Sequence, residues 1–459
     1  MSHLLTRRQL LSLPLAAPWV GRAAAAQKLN VLLIAVDDLN NRLGCYGDPV
    51  VKTPNIDRLA ARGMRFDRAY CSYPLCNPSR TALLSGRRPE TTRILDNDTP
   101  PRTYLKNVVF LPEHFRQHGY FTARVGKIAH GKFEDAVSWD ISEFAGGVRR
   151  QAAPAPVPQQ AGQDGQLVWQ PTDRDDADEP DGRTERPIAR LLEQHKDKPF
   201  FMGAGFHKPH LPWIAPSKYF EMYPPERIEL PKTPPDDRDD IPPIALTRNP
   251  GDDQLSELDR KKAIAAYHAC TTFLDAQVGV LLEALERLKL TDNTVVLLFG
   301  DHGWHLNDHL GLWRKMSLFE ESARAPLIVA APGRRRAAGS PRLVEFVDIY
   351  PSLVELCGLP LPTGLEGDSF VPLLENPRRP WKKAAFTVVQ RGRGLLGRSA
   401  RTERYRYTEW GGEDVAELYD HETDPHEWRN LAKDPKQARA LAQMRGILHA
   451  GWQAARPRV

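Results

Sequence analysis

The chain has 459 residues, of which 41% are hydrophobic and 26% are charged. This is an ordinary globular composition, which excludes a disordered or membrane-embedded chain. The formal net charge of +5 falls to +2 without the three arginines of residues 1–26, which argues against a nucleic-acid-binding protein with a broad basic face. The length suits one large domain and a smaller one.

Residues 1–26 have the pattern of an export signal. Arg7 and Arg8 precede an apolar stretch at 10–20, and small residues follow at 23–26. This order predicts a cleaved signal peptide; the arginine pair favours the twin-arginine type, with an ordinary secretion signal as the alternative. We therefore expect a periplasmic or otherwise exported protein whose partner is the twin-arginine export machinery. No later segment is apolar for long enough to span a bilayer, so an integral membrane protein is not expected.

Apolar runs and segments of helical period alternate along the rest of the chain. In chain order, the predicted elements are a strand at 29–36, a helix at 55–62, a helix at 112–118, a strand at 200–206, one or two amphipathic helices at 255–290, a strand at 294–299 and a strand at 327–330. This alternation predicts an α/β fold with a large, mainly parallel sheet sandwiched by helices. Ligands gather at the carboxyl ends of the strands in such folds.

We place a domain boundary near residue 376. Residues 27–376 are predicted to form the large domain, and residues 377–459 a small α+β subdomain with antiparallel strands and a helical tail at 435–454. Residues 145–185 are rich in Ala, Pro, Gln, Gly and Asp, and residues 224–253 in Pro and Asp. We expect both to be surface insertions.

The number of cysteines indicates special chemistry. The five are Cys45, Cys71, Cys76, Cys270 and Cys357. They are too few and too scattered for a disulfide framework, and no CxxC metal-binding spacing occurs. At least one must be unpaired, and in an exported protein an odd cysteine is a candidate for a reactive group.

The segment 76–86 reads Cys-Asn-Pro-Ser-Arg-Thr-Ala-Leu-Leu-Ser-Gly and resembles the sulfatase signature C-x-P-S-R-x-x-x-x-[ST]-G in full. The resemblance implies an alkaline-phosphatase-like fold, a sulfuric ester hydrolase, and a Cys76 that a formylglycine-generating enzyme converts to formylglycine. In that family one hydroxyl of the hydrated aldehyde attacks sulfur and the other later expels sulfate, which is covalent catalysis with a built-in release step. Pro78 and Gly86 suit a turn into a short helix, whose N-terminus favours a nucleophile.

Acidic residues follow two of the predicted strands. Asp37 and Asp38 come directly after the first strand, and Asp301-His302 follow the strand that begins at residue 294. Three carboxylates at strand ends offer hard oxygen ligands to one divalent cation. The sulfatase resemblance assigns the metal to these four residues, with the modified Cys76 as a further ligand, and favours Ca²⁺ over Mg²⁺. The imidazole of His302 is an unusual ligand for Ca²⁺.

Within the sulfatases, the chain resembles the iduronate-2-sulfatase group, which the presence of His302 also favours. The segments that carry this resemblance are 36–39, 43–48, 86–93, 207–210 and 397–408. By this resemblance, Lys127, His130, His207 and Lys315 surround the sulfate. The lysines and Arg80 would neutralise charge on the sulfuryl oxygens, His207 or Lys315 would protonate the leaving alcohol, and His130 would act as a base on the diol.

The implied substrate is a sulfated carbohydrate, such as a 2-O-sulfated uronic acid of a glycosaminoglycan or an algal polysaccharide, and residues 27–376 would form the catalytic domain. Two alternatives use the same fold. One is a phosphate or phosphonate ester hydrolase of the same superfamily, and the other is a noncatalytic sulfated-glycan-binding protein. The intact Cys76, Arg80 and carboxylates argue against the second alternative, because binding alone requires no aldehyde precursor.

Overall fold

The computed structural model describes residues 28–457, apart from 132, 145–166, 248, 250 and 393. The predicted signal peptide and residues 145–166 of the first predicted insertion lie outside the described residues. Among the residues that are described, no helix combines the length and the apolar character needed to cross a membrane.

The strands of the described chain build one large sheet and several smaller ones. In chain order they are β1 (Asn30–Val36), β2 (Met64–Tyr70), β3 (Phe121–Gly126), β4 (Ile141–Glu143), β5 (Trp169–Thr172), β6 (Phe200–Phe206), β7 (Trp213–Pro216), β8 (Thr294–Gly300), β9 (His305–Asn307), β10 (Leu312–Arg314), β11 (Leu327–Ala330), β12 (Ala338–Glu345), β13 (Ala385–Arg391), β14 (Leu395–Arg401), β15 (Tyr405–Trp410) and β16 (Ala416–Asp420). The four predicted strands correspond to β1, β6, β8 and β11, and their ends agree within one residue.

The large sheet has eight strands in the order β12-β2-β11-β8-β1-β6-β3-β4. Neighbouring strands within this sheet pair in parallel, except that β11 runs antiparallel to both β8 and β2. The predicted mainly parallel sheet is therefore confirmed. The direction of β11 follows from the chain between residues 301 and 326, which holds the short strands β9 and β10 and two short helices and remains at the carboxyl edge of β8. Because no helix crosses back over the sheet, β11 enters at the edge where β8 ends.

The described chain has twelve α-helices, several of which cover the two faces of this sheet. They are α1 (Pro54–Arg62), α2 (Cys76–Ser85), α3 (Pro89–Thr92), α4 (Leu111–Gln117), α5 (Glu185–His195), α6 (Ser217–Phe220), α7 (Glu257–Arg287), α8 (Asp308–Gly311), α9 (Glu320–Ala323), α10 (Ile349–Leu356), α11 (Val371–Glu375) and α12 (Ala438–Ala455). The helices predicted at 55–62 and 112–118 correspond to α1 and α4. The segment 255–290 forms the single helix α7, whose N-cap Ser256 accepts a hydrogen bond from the backbone N–H of Asp259.

Strand β1 runs through the middle of the core. Its odd-numbered side chains, such as Val31 and Leu33, pack in the apolar cluster that also contains α2, α4 and α10. Its even-numbered side chains, such as Leu32 and Ile34, pack with α1, α5 and α7. Each such buried side chain stabilises the fold by about 1.5–3 kcal/mol relative to exposure. A strand buried on both faces is therefore apolar throughout, which is the pattern read from the sequence.

The chain after residue 376 forms a second, smaller unit. Strands β13 to β16 make a four-stranded antiparallel sheet in chain order, and α12 packs on it through contacts among Phe386, Tyr407 and Met444. The predicted smaller α+β part with antiparallel strands is confirmed. The boundary near residue 376 stays a prediction.

The prediction that 145–185 and 224–253 lie on the surface is wrong in part. Asp181 is 2% exposed and Asp237 is 0% exposed. Ile241 is also buried, in the apolar cluster that contains residues of β13. The Pro and Asp content correctly indicates turns, but single side chains of these turns are buried by partners distant in sequence.

The buried pair of Asp237 and His309 makes the stability of the fold depend on pH. Burial alone lowers the pKa of His309. The hydrogen bond that its Nδ1 donates to Asp237, 3.2 Å from each carboxylate oxygen, and the charges of Glu321 and Asp308 outweigh burial and raise this pKa to about 9. Because the folded-state pKa lies above the ordinary 6.5, the stabilisation is complete below about pH 6.5 and is lost as pH rises through about 9.

We expect the free energy of unfolding to fall by about 3 kcal/mol across that window through this one group. Asp237→Asn should flatten this part of the profile, and Asp239→Asn, which alters an exposed neighbour, should not. Chemical denaturation at several pH values between about 6 and 10 measures both. Identical profiles for the wild type and Asp237→Asn would contradict the assignment.

Candidate active site

The candidate nucleophile lies at the start of a buried helix. Cys76 is the first residue of α2, and it follows an extended Leu75 (φ −154°, ψ 143°). The helix ends at Gly86, whose φ of 64° lies in the left-handed region that favours glycine. The predicted short helix is therefore confirmed. The helix dipole places partial positive charge near Cys76, which is 1% exposed.

The acidic residues lie at the carboxyl ends of two adjacent strands. Asp37 and Asp38 follow β1, Asp301 follows β8, and all three are 0% exposed. The Asp301 Oδ1 atom accepts hydrogen bonds from the backbone N–H groups of Asp38 and His302, both at 3.1 Å. Asp38 has a φ of 60°, a conformation that costs a residue with a Cβ about 1 kcal/mol or more. The hydrogen bond between Asp38 and Asp301 therefore joins the ends of β1 and β8 at the site.

The next two strands of the sheet contribute basic residues. Lys127 follows β3, and His207 follows β6. The strand order β8-β1-β6-β3 therefore brings Asp301, Asp37, His207 and Lys127 to one edge, in that order. The candidate side chains therefore lie together at the carboxyl ends of the strands, where ligands bind in folds of this class.

The side chain of Arg80 is buried inside the cluster and is held there by hydrogen bonds. Its guanidinium is 1% exposed and donates from Nε to Asp301 Oδ2 at 2.8 Å and from a terminal nitrogen to Asp37 Oδ1 at 3.3 Å. The other terminal nitrogen donates to the carbonyl oxygens of Lys127 and Ile128, at 2.6 and 3.1 Å. Burial disfavours the charged guanidinium, but Asp301 and Asp37 outweigh it and raise the pKa of Arg80. Arg80 thus holds the carboxylates in place.

The two lysines contact the carboxylates from opposite sides. The Lys127 Nζ atom lies 2.5 Å from Asp37 Oδ2, and the Lys315 Nζ atom lies 2.5 Å from Asp38 Oδ1 and 3.2 Å from Cys76 Sγ. Their side chains are 14% and 13% exposed, so neither is a solvated surface lysine. Burial lowers the pKa of Lys315, but the neighbouring carboxylates outweigh it and raise this pKa, so the ammonium stays charged.

The cluster is balanced in charge. Its three carboxylates are Asp37, Asp38 and Asp301, and its three fixed cations are Arg80, Lys127 and Lys315. A divalent cation would therefore leave the site with a net positive charge, which attracts an anionic ester.

Two histidines of the segment 207–210 face the carboxylates. The Nδ1 atom of His207 lies 3.5 Å from Asp37 Oδ2, and the Nε2 atom of His210 lies 3.8 Å from Asp38 Oδ2. The two rings lie 4.5 Å apart. His210 was not among the predicted site residues, although its spacing of three residues from His207 was a signal in the sequence.

His130 lies near the basic side of the cluster. Its Nδ1 atom is buried and makes no hydrogen bond within the described part of the chain. Burial, followed by the charges of Lys127, Arg80 and Lys315, lowers the pKa of His130 to about 4 in spite of Asp37. The ring is therefore neutral at pH 7.

Four of the five residues assigned to a cation form a group that could hold one, and the fifth, Asp38, belongs to a separate group with Cys76 and His210. The ligand atoms of Asp37, Cys76, Asp301 and His302 all lie within 4.8 Å of one another. His302 Nδ1 lies 3.0 Å from the Gly303 carbonyl oxygen, so it carries the ring proton and leaves a lone pair on Nε2. That Nε2 atom lies 3.4 Å from Asp38 Oδ1 and 3.5 Å from Asp301 Oδ1, is buried, and makes no hydrogen bond with any described residue.

Two further observations favour a bound cation. Burial lowers the pKa of His302, which favours the neutral ring that metal coordination needs. The Asp38 Oδ2 atom is also buried without a hydrogen-bond partner among the described residues. Buried polar atoms without partners cost about 1–3 kcal/mol each, and a cation would satisfy both.

A cavity of about 460 Å³ lies between residues 40–42, Trp304 and the segment that holds His426 and Trp428, and none of the candidate site residues lines it. The chemical groups at the strand ends, not cavity size, therefore identify the site.

A mainly parallel sheet, a cysteine at the start of a helix and a carboxylate cluster at the carboxyl edge of the sheet are the features expected of a hydrolase with the alkaline-phosphatase-like fold. The sulfatase family model matches residues 29–359, and a model described as the N-sulphoglucosamine sulphohydrolase C-terminal region matches residues 307–453. The chain belongs to the sulfatase family. It is a sulfuric ester hydrolase, as the signature predicts.

Curated relatives match over most of their length. Iduronate 2-sulfatase of Mus musculus is 32% identical, and the match covers 93% of this chain and 94% of the relative. Delta 4,5-hexuronate-2-O-sulfatase of Bacteroides thetaiotaomicron is 30% identical, with coverages of 93% and 90%. The predicted resemblance to the iduronate-2-sulfatase group is confirmed.

Solved structures share the fold. A 2-O GAG sulfatase superposes with a TM-score of 0.74 at 27% identity and covers 92% of each chain. Phosphonate monoester hydrolase of Agrobacterium radiobacter superposes with a TM-score of 0.78 at 22% identity, with 93% of this chain and 96% of the other covered. The second similarity concerns the fold alone.

Proposed function

We propose that this sulfatase removes the 2-O-sulfate of a hexuronate unit in a sulfated carbohydrate, using formylglycine at position 76 and a bound Ca²⁺. The observation that carries the proposal is the position of Cys76. It starts α2 within 3.2 Å of the Lys315 ammonium, in a cluster whose acidic atoms fit a cation. The names of the relatives that act on uronate 2-sulfates support the substrate.

An unmodified Cys76 does not suit the reaction. Burial, together with the charge of Asp37, raises the pKa of the thiol to about 12 in spite of Lys315 and Lys127. A thiol that is neutral at pH 7 is a poor nucleophile. In its hydrated form, formylglycine supplies one hydroxyl that attacks sulfur and a second that allows sulfate to be released. We therefore propose a formylglycine-generating enzyme as a partner.

We propose that Asp37, Asp38, Asp301, His302 and the modified residue 76 hold the cation. When bound, the cation polarises a sulfate oxygen and lowers the pKa of the attacking hydroxyl. Carboxylate oxygens are hard ligands that favour Ca²⁺ or Mg²⁺, and the larger Ca²⁺ tolerates irregular geometry better. The single imidazole is compatible with this set because its lone pair already faces the carboxylates.

The two lysines of the site bind the sulfuryl group. Lys127 and Lys315 stay charged and are largely excluded from water, so their attraction for developing negative charge is little screened. Arg80 is fully engaged with Asp37, Asp301 and backbone carbonyls. Its role is therefore to fix the carboxylates and to contribute charge.

Hydrolysis breaks the bond between sulfur and the sugar oxygen, so the leaving oxygen must receive a proton. His207 suits this step because its Nδ1 faces Asp37 while the side chain is 45% exposed at the mouth of the site. An anionic ester beside the ring favours its protonated form. His130, neutral at pH 7, is suited to accept a proton from a diol hydroxyl.

A panel of esters tests this function. We expect kcat/KM for a 2-O-sulfated hexuronate to exceed that for matched phosphate and phosphonate monoesters by about 10²-fold or more, because the charged groups are arranged for a sulfate monoester. N-sulfated and 6-O-sulfated glucosamine serve as matched sulfate controls. A large preference for phosphorus esters would support the phosphonate-hydrolase alternative, and binding without turnover would support a glycan-binding protein.

We also propose that residues 1–26 direct export by the twin-arginine route. This route carries folded proteins, so Cys76 would be modified in the cytoplasm before export. Mass spectrometry of the exported protein reports on both events. An uncleaved N-terminus or an unmodified thiol at Cys76 would contradict this order.

A further inference from the structure

Asp181 holds the backbone at the point where His207 leaves its strand. Its two carboxylate oxygens accept the N–H of His207 at 2.9 and 3.0 Å, and one of them accepts the N–H of Lys208 at 2.5 Å. Asp181 is 2% exposed and lies 26 residues earlier in the chain, in the turn Asp181–Arg183 before α5. A carboxylate that accepts two successive N–H groups fixes both peptide planes.

The same turn supports the neighbouring strand end. A Cβ on Gly126, the last residue of β3, would lie 1.9 Å from the Gly205 carbonyl oxygen and 3.2 Å from the Thr184 hydroxyl. The N–H of Lys127 donates to that same Gly205 oxygen at 3.0 Å. The ends of β3 and β6 are therefore packed against each other and against residues 181–184 without space for a side chain.

This packing acts on the reacting groups through the backbone. Lys127 and His207 both contact Asp37, through Nζ at 2.5 Å and Nδ1 at 3.5 Å. A shift of the backbone at residue 207 would move the imidazole relative to Asp37 and to the leaving oxygen. Displacements of about 1 Å in a catalytic group cost about 10²-fold in rate.

We propose that Asp181 is a positioning residue for the active site, which aims His207 at the leaving oxygen by fixing the backbone of residues 207 and 208. This inference rests on the proposed function for the role of His207. Asp181 itself contacts no reacting atom. It acts through the two peptide N–H groups that it holds.

The chain contains a matched control for a purely structural role. Asp275 of α7 is also 2% exposed, and its carboxylate accepts the successive N–H groups of Asn55 and Ile56 at 3.1 and 2.7 Å. These hydrogen bonds hold the start of α1 and involve no residue of the catalytic cluster. Asp181→Asn and Asp275→Asn therefore remove the same kind of interaction at different places.

The test is a double-mutant cycle on the full-length mature enzyme, with the preferred ester from the panel as substrate. We expect Asp181→Asn to lower kcat by about 10²-fold with a smaller change in KM. Asp275→Asn should lower the melting temperature without a comparable loss of kcat per folded molecule. In a His207→Gln background, Asp181→Asn should cause little further loss, because the group that it positions is already absent.

Additive losses in the double variant, or equal kcat values for Asp181→Asn and Asp275→Asn, would overturn the inference. If Asp181→Asn does not fold, Asp181→Glu keeps the charge and misplaces the carboxylate by one methylene group, and the same cycle is measured with it. The wild-type rates report on the proposed function. The coupling between positions 181 and 207 reports on this inference, so the two can fail separately.

Discussion

Replacing Cys76 with alanine should abolish turnover, with a loss of about 10³-fold or more in kcat, since covalent catalysis would lose its only nucleophile. Cys76→Ser should lose repeated turnover as well, because a serine hydroxyl has no second hydroxyl with which to release sulfate. Both variants should fold, since they replace one small buried side chain. Steady-state kinetics on the preferred sulfate ester measures the loss.

Cys357→Ala is the matched control. Cys357 is 8% exposed at the end of α10, and burial raises its pKa to about 12 as it does that of Cys76, but its Sγ atom contacts the Leu29 carbonyl oxygen before β1 and no candidate site residue. Its replacement should leave kcat per folded molecule within a few-fold of wild type. Mass spectrometry of the wild-type peptide that contains residue 76 should detect the aldehyde. Full activity in Cys76→Ala, or an active enzyme that carries only the thiol, would disprove the mechanism.

Removing divalent cations with a chelator should lower kcat by about 10²-fold or more, since the net positive charge of the site and the polarisation of the sulfate oxygen depend on a cation. Added Ca²⁺ should restore the rate more fully than Mg²⁺ does. A second readout does not depend on activity. At a concentration 100 times its Kd, a cation that binds only the folded state stabilises it by about 2.7 kcal/mol, so Ca²⁺ should raise the melting temperature.

Strand β8 supplies a matched pair of variants for this experiment. Asp301 directly follows the carboxyl end of β8 and belongs to the cluster. Asp292 is exposed and lies before the amino end of the same strand. Asp301→Asn should abolish the Ca²⁺-dependent rise in melting temperature, whereas Asp292→Asn should retain it. If the chelated enzyme keeps full activity and Ca²⁺ does not change its melting temperature, the proposed cation site is wrong.

Local patterns predicted the elements of the fold well. The run 200–206 coincides with β6, and the single long helix α7 lies within the segment of helical period at 255–290. These elements are visible because their side chains repeat with the period of the structure. The antiparallel direction of β11 was not predicted, because a short apolar run has no direction of its own. It depends on whether the preceding chain crosses the sheet.

The motifs predicted the candidate site residues, but not how they interact. The signature pointed to Cys76 and Arg80, and the strand ends pointed to the carboxylates. No sequence pattern indicated that Asp181 is buried under His207, because its Pro- and Asp-rich surroundings have the composition of an exposed turn. His210 had a signal in its spacing from His207, but only the distance to Asp38 identifies its position.

Short stretches of the sequence predicted the types of the elements, the mainly parallel sheet and the chemical groups available for catalysis. Which of these groups lie in contact was visible only in the tertiary structure. Asp38 and Asp301 are 263 residues apart and share a hydrogen bond, because the strand order places β1 beside β8. Strand order and side-chain contacts arise from packing between distant segments, and packing of this kind leaves no periodic pattern in the chain.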